Sequence, residues 1–332
     1  MTCATPLIDS HGRTISYLRV SVTDRCDLRC RYCMAEDMTF LPRAQVLSLE
    51  EMAIISERFI ARGVTKIRLT GGEPLVRRDS IELVRRLGRH LGNGLNELTM
   101  TTNGNRLAEF AGDLVSAGMK RINVSLDSLD AETFRYITRQ GDVARVIEGI
   151  LAARDAGLRV KVNMVALKGL NEHHIAPMLA WCGENSLDLS LIETMPLGQI
   201  DEDRADRFLP LTDVLANLST QFDIAPDGHR SGGPARYWRV EPYGTRLGLI
   251  SPLTANFCDG CNRVRLTTEG KLYMCLGHDD QVDLKSALRD HGVDAVDALL
   301  DQAMRLKPAR HEFSVERGAA PAVARHMSVT GG

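Results

Sequence analysis

Net charge, long apolar runs and disulfide-forming cysteine are all in short supply in this sequence. Forty-one Lys and Arg against 43 Asp and Glu leave a formal charge of −2. That balance excludes a general nucleic-acid or membrane-surface role, so any anion site must be local. No apolar run approaches the roughly 18 residues of a membrane span. The opening MTCATPLIDSHGRT lacks the basic-then-apolar order of a secretory signal. Eight cysteines in 332 residues are too few for a secreted disulfide scaffold. A reducing cytoplasm is therefore the expected location, with no nucleic acid and no membrane among the partners. A chain of this length can bury a barrel-sized core and carry an extension besides.

What cysteine there is lies in clusters. Residues 23–34 read TDRCDLRCRYCM and place Cys26, Cys30 and Cys33 at C-x3-C-x2-C spacing. Thiolates are soft ligands, suited to zinc or iron–sulfur clusters. A structural zinc wants a fourth Cys or His, and none other occurs between His11 and His90. Three thiolates suit three corners of a [4Fe–4S] cube whose fourth iron stays open. C-x3-C-x-aromatic-C, with Tyr32 as the aromatic, is similar to the signature of the radical S-adenosylmethionine (SAM) enzymes, in which the methionine end of SAM chelates that iron. A second set, Cys258 and Cys261 in FCDGCNRVRLT, is followed by Cys275. On residues alone, zinc with His278 completing Cys3His is an open alternative there. Cys3 reads as a terminal thiol and Cys182 as a small buried hydrophobe.

The hydrophobic pattern predicts strands over 15–21, 66–70, 98–102, 122–126, 160–166 and 187–193. Helical patterns join them, the first opened by a Ser48–Glu51 capping box and closed by Gly63. Six strands wound in one direction predict an α/β chain with an incomplete (β/α)6 barrel. A flat doubly wound sheet is the alternative, but the polar clusters follow strand C-termini, as in barrels. Residues 201–208, DEDRADRF, read as a solvated loop. Beyond Glu193 a helix over 211–218 and alternating strands predict antiparallel hairpins. The expected division is a barrel of 1–208 and a C-terminal extension of 209–332, a separate layer over the barrel's open side carrying the second cysteine set.

Gly71-Gly72-Glu73-Pro74 follows the second strand and resembles the GGE motif of radical SAM enzymes, set along SAM's methionyl amino group. Taken with IRLTGGEPLVRRD, TTNG, INVSLDSLD, VKVN and the Gly331-Gly332 terminus, all in order, the whole chain resembles the GTP 3′,8-cyclases of molybdenum cofactor biosynthesis. That resemblance implies a lyase that converts GTP to (8S)-3′,8-cyclo-7,8-dihydroguanosine 5′-triphosphate. A SAM-derived radical takes hydrogen from the ribose C3′, and the carbon radical then attacks guanine C8. It implies two [4Fe–4S] clusters, the second, on Cys258, Cys261 and Cys275, meeting guanine. It sets SAM against Tyr32, Gly72, Ser125 and Met195, and GTP against Arg19, Arg68, Thr101, Lys161, Asn262, Arg263, Val264 and Arg265. It also implies that Gly331 and Gly332 reach into the barrel as catalytic residues. An electron donor and a downstream cyclic pyranopterin monophosphate synthase are implied partners, with room for a homodimer. Physical reasoning supports the cations independently, because Arg forks match phosphate oxygens and buried cations want an anion. Thr330 departs from the family, which has an apolar residue before Gly-Gly. Residues 317–327 otherwise read as a mobile tail.

Overall fold

Six parallel strands carry the centre of the molecule. In the computed structural model, which describes residues 5–331, β1 (Tyr17–Ser21), β2 (Lys66–Thr70), β3 (Glu97–Thr102), β4 (Arg121–Ser125), β5 (Arg159–Ala166) and β6 (Asp188–Glu193) each pair in parallel with the next. Helices α1 (Leu49–Ala61), α2 (Ser80–Gly88), α3 (Leu107–Ser116), α4 (Ala131–Thr138), α5 (Val143–Asp155) and α6 (Ile175–Glu184) make the crossovers. The expected capping box opens α1: Ser48 Oγ accepts from Glu51 N, and Glu51 returns a bond to Ser48 N. Met52, Ile55 and Phe59, on one face of α1, are fully buried. The sequence expectation missed α4, a short helix of AETFRYIT, rich in β-branched and aromatic residues of low helix propensity and held by the Asp130 N-cap.

The extension is not a separate layer. It adds strands to both edges of the same sheet. At one edge β7 (Asp223–Asp227), β8 (Arg236–Glu241) and β9 (Thr245–Ile250) form an antiparallel set, and β9 lies parallel to β6. At the other, β10 (Arg263–Leu266) lies parallel to β1, followed by antiparallel β11 (Lys271–Tyr273) and β12 (Gln281–Asp283). The order is β12-β11-β10-β1-β2-β3-β4-β5-β6-β9-β8-β7, so eight consecutive strands are parallel. Side chains of β1, β2, β4, β5, β6, β9 and β10 line one interior cavity. A flat sheet does not bring such distant strands together, and the arc is the expected open barrel.

The remaining helices are α7 (Arg204–Arg207), α8 (Leu211–Leu218), α9 (Leu284–His291), α10 (Val293–Leu306) and α11 (Met327–Thr330). The α9–α10 pair packs on α1, tied by ion pairs Arg58–Asp297, Arg62–Asp301 and Arg289–Glu51. Among the described residues no helix is long and apolar enough to cross a membrane.

Candidate active site

Strand alternation sorts the residues of β1, β2 and β10 between two faces. Leu18, Val20, Ile67, Leu69, Val264 and Leu266 face the helices and are almost wholly buried. The other face carries cations. Register sets Arg265 beside Arg19 and Arg19 beside Arg68 in one row, and Arg263 beside Tyr17 and Tyr17 beside Lys66 in the row below. Lys161 follows on β5, beside Asn123 of β4. Arg19, Lys66, Arg68, Lys161 and Arg265 are all under 9 % exposed, yet few carboxylates answer them. Glu97 pairs with Lys66 at 3.0 Å. Arg68 Nη1 reaches Thr101 Oγ1 at 3.3 Å, and Lys161 Nζ reaches Tyr237 Oη at 3.3 Å. Among the described residues, Arg19 Nε and Nη2 and Arg68 Nε have no partner.

That crowding shows in the proton affinities. Burial, then Arg265, hold Arg19 well below the ordinary guanidinium value. Burial, then Arg68, bring Lys161 down to about 7, and burial, then Arg263, bring Arg265 to about 10. Burial raises Tyr17, but Arg68, Arg19, Lys66 and Arg263 more than offset it and leave the phenol at about 8. Buried cations with unused donors are costly without an anion. The cavity is shaped and charged for a polyanion.

The first cysteine loop sits over the C-terminal ends of β1–β4. Asp27 accepts from Asn103 and Asn105 side chains at 2.7 and 2.6 Å. Arg29 and Arg31 N–H groups bond the carbonyls of Thr138 and Ile137 at the end of α4. Tyr32 donates to Asp127 at 2.8 Å, and burial raises that carboxyl to about 6. Glu73 is fully buried and accepts from Leu75 N, Thr102 Oγ1 and Asn103 N at 3.0, 2.8 and 2.6 Å. It therefore ties the Gly-Gly turn to the end of β3. Gly71 and Gly72 have no room for a side chain, since a Cβ would stand 2.3 Å from Thr23 O and 2.2 Å from Arg25 O respectively. Burial raises the thiols of Cys26 and Cys30 and takes Cys33 to about 12. Such thiols need a metal to become thiolates.

The second set opens onto the cation cavity. Cys258, Cys261 and Cys275 line it together with Arg19, Arg68, Lys161 and Met195. Among the described residues no three His, Cys, Asp or Glu side chains converge on a single ion site. His278 is turned away, its Nε2 donating to Arg310 O at 3.0 Å, so Cys3His is not assembled. Three thiols without a fourth ligand, beside a cavity rather than around a point, fit a cluster with one open iron. Among the described residues the first cysteine set likewise has no converging fourth ligand.

The C-terminal segment is docked, not free. Ala322 N bonds Pro196 O, Val323 bridges Leu197, and Arg325 lies 4.2 Å over the Tyr273 ring. Met327 lines the cation cavity. Arg325 Nη2 donates to Cys275 O at 3.3 Å, and the backbone of Ser328 lies near enough to Cys33 to lower that thiol's proton affinity against the effect of burial, so the tail runs between the two cysteine sets. Arg265 Nη1 donates to Gly331 O at 2.6 Å. Thr330 is 1 % exposed, so a hydroxyl in the place of the family's apolar residue does not keep the tail out. Gly332 and Cys3 lie outside the described residues.

Of the residues expected at GTP, Arg19, Arg68, Lys161, Arg263 and Arg265 share the cavity, and Thr101 touches it through Arg68. Val264 points into the core, and the Asn262 side chain donates to Ser16 Oγ at 2.8 Å. Of those expected at SAM, Met195 lines the cavity, whereas Tyr32, Gly72 and Ser125 belong to the cysteine loop and the strand ends beside it. Sequence reasoning missed Lys66, Tyr17 and Asn123. Lys66 and Tyr17 each stand two residues before an Arg already singled out, and alternation alone places them on the same face. It also read Arg204 as solvated, but its guanidinium reaches inward to the carbonyls of Leu197 and Gly198.

The chain resembles known proteins along most of its length. Residues 20–182 match the Radical SAM superfamily model and residues 187–313 match Molybdenum Cofactor Synthesis C. The GTP 3′,8-cyclase of Erythrobacter litoralis is 56 % identical over 330 residues, 99 % of each chain. That of Agrobacterium fabrum is 55 % identical, covering 98 % of this chain and 95 % of its own. Among solved structures, Streptococcus suis SuiB superposes with a TM-score of 0.60 at 16 % identity, covering 89 % of this chain and 69 % of SuiB. At that identity it speaks for the fold. The chain belongs to the GTP 3′,8-cyclase family of the radical SAM superfamily, whose members carry [4Fe–4S] clusters and use SAM.

Proposed function

We infer that this protein cyclises GTP in the first step of molybdenum cofactor synthesis. The observation that carries the reading is the row of buried, under-paired cations in one cavity with the second cysteine set. Cys26, Cys30 and Cys33 would hold the SAM-binding cluster, and Cys258, Cys261 and Cys275 the cluster that meets guanine. When bound, the first cluster supplies the electron that cleaves SAM and so initiates hydrogen abstraction. The chain's own residues hold and shield. Arg19, Arg68, Lys161, Arg263 and Arg265 neutralise the triphosphate, joined by Lys66. Tyr32, Gly72, Ser125 and Met195 flank SAM. Residues 1–208 serve SAM and 209–332 serve guanine, although the two share one sheet. Gly331 orders Arg265 beside the cavity, so that C3′–H alone faces the radical. A reducing cytoplasm, a one-electron donor and a downstream enzyme that rearranges the cyclised nucleotide, cyclic pyranopterin monophosphate synthase, complete the reading.

Reconstituted protein should carry about eight iron atoms per chain, two clusters of four. Incubated without oxygen with SAM, GTP and dithionite, it should form 5′-deoxyadenosine and consume GTP. SAM cleavage indifferent to GTP would indicate another radical SAM enzyme, and about four iron with one tight zinc would remove the second cluster.

The cation row makes a separable prediction. Arg19→Ala should weaken GTP binding by about 1.5–3 kcal/mol, one charge-assisted bond, with SAM binding unchanged by equilibrium dialysis. A larger loss for SAM than for GTP would reverse the two assignments.

A further inference from the structure

Lys307 follows α10 and is 2 % exposed. Its Nζ lies 3.5 Å from Cys261 Sγ, 3.0 Å from Arg263 O and 2.6 Å from Met274 O. An ammonium has three hydrogens, and three acceptors meet them. Two of those acceptors flank ligand positions, since Arg263 lies two residues after Cys261 and Met274 immediately precedes Cys275. The segment that delivers Lys307 is itself clamped. Arg13 donates to Pro308 O at 2.6 Å, to Ala309 O at 2.7 Å and to Cys258 O at 2.9 Å, with its Nε on Asp9 at 2.6 Å. Arg13 thus holds the Cys258 backbone and the Lys307 segment together, and the buried Lys307 reaches a thiol sulfur directly.

We propose that Lys307 is a positioning residue that seats the second cluster and sets its reduction potential by donating an N–H···S bond to the Cys261 thiolate. The proposal rests on Cys258, Cys261 and Cys275 being cluster ligands. Reduction adds negative charge to a cluster, and a donor aimed at a ligand sulfur favours the reduced state. The electron that must return to the nucleotide after cyclisation meets a potential that Lys307 helps to fix.

The test is a dithionite titration of the reconstituted holoenzyme with mediator dyes and no GTP, followed by electron paramagnetic resonance. Added SAM marks the first cluster's signal. Lys307→Met and Lys307→Gln should move the second cluster's one-electron equilibrium about tenfold toward the oxidised state, about 59 mV downward, while the first cluster does not move. Lys307→Arg should keep most of the wild-type value. If both neutral variants lose iron from the second set and Lys307→Arg keeps it, the seating role stands. Full iron with an unchanged second potential in the neutral variants overturns the proposal, as does loss of the second cluster in all three. Zinc at the second set of the wild-type protein would sink the cluster reading instead, and iron analysis separates that outcome.

Discussion

Gly331→Ala should abolish most GTP cyclisation while leaving both clusters and uncoupled SAM cleavage in place. Gly331 has φ +74, and a Cβ there would stand 1.9 Å from Thr70 Oγ1 and 2.6 Å from Thr70 Cβ. Thr70 cannot yield, because it ends β2, is 1 % exposed and donates its hydroxyl to Val20 O. Both the positive φ and the contact favour glycine, so the alanine variant cannot seat its tail. Its loss frees Arg265 from Gly331 O and opens the cation cavity that Met327 lines. Misplacement of about 1 Å in such a site costs on the order of 100-fold in rate. The check is the ratio of cyclised nucleotide to 5′-deoxyadenosine. Deleting residues 331–332 should give the same ratio, and a short peptide ending in Gly-Gly should partly restore it. A Gly331→Ala enzyme that cyclises GTP at the full rate would make the tail a passive strap.

GTP affinity should fall steeply as the pH rises from about 7 to about 9. Lys161, held near 7 by burial and by Arg68, is largely neutral in the ligand-free protein above that pH. Phosphate beside it restores the charge, so binding takes up a proton. One proton of uptake costs about tenfold in affinity per pH unit. Tyr17, at about 8, adds to the loss when it ionises. The sign for stability is opposite. Between about 7 and the ordinary lysine value of about 10.4 the unfolded chain holds the Lys161 proton and the folded one does not. Stability of the ligand-free protein therefore rises with pH across that window. Calorimetry at pH 8 in two buffers of different ionisation heat should show uptake approaching one proton, and Lys161→Arg should reduce it. An affinity flat from pH 7 to 9 would mean that Lys161 does not face the phosphates.

Barrel strands and the two cysteine groups were legible because each rests on local signals: alternation, caps, and thiols a few residues apart. The capping box at Ser48 needed nothing from the rest of the chain. β7 was missed because DIAPD carries Pro226 and lies largely exposed at the end of the sheet, where edge strands tolerate proline. The edge-to-edge place of the extension was not legible either. Parallel pairing of β9 with β6 and β10 with β1 depends on partners about 60 and about 250 residues away. The cation cavity was half legible. Arg19 and Arg68 stood out, but only the register shows that Arg265, Arg19 and Arg68 are neighbours. Alternation also predicts that Val264 cannot face the ligand with Arg263 and Arg265. The tail's Gly, Ala and Pro looked mobile because its anchors, Leu197, Tyr273 and Arg265, belong to distant elements. Lys307 carries no sequence signal at all, since a lysine after a helix ordinarily faces water.

On the proposed function, the cavity should hold GTP with its C3′–H toward the first cysteine set. Anaerobic turnover with GTP deuterated at C3′ tests it most directly. Deuterium should appear in 5′-deoxyadenosine, with one nucleotide cyclised per labelled product. Unlabelled 5′-deoxyadenosine with GTP recovered intact would contradict the account.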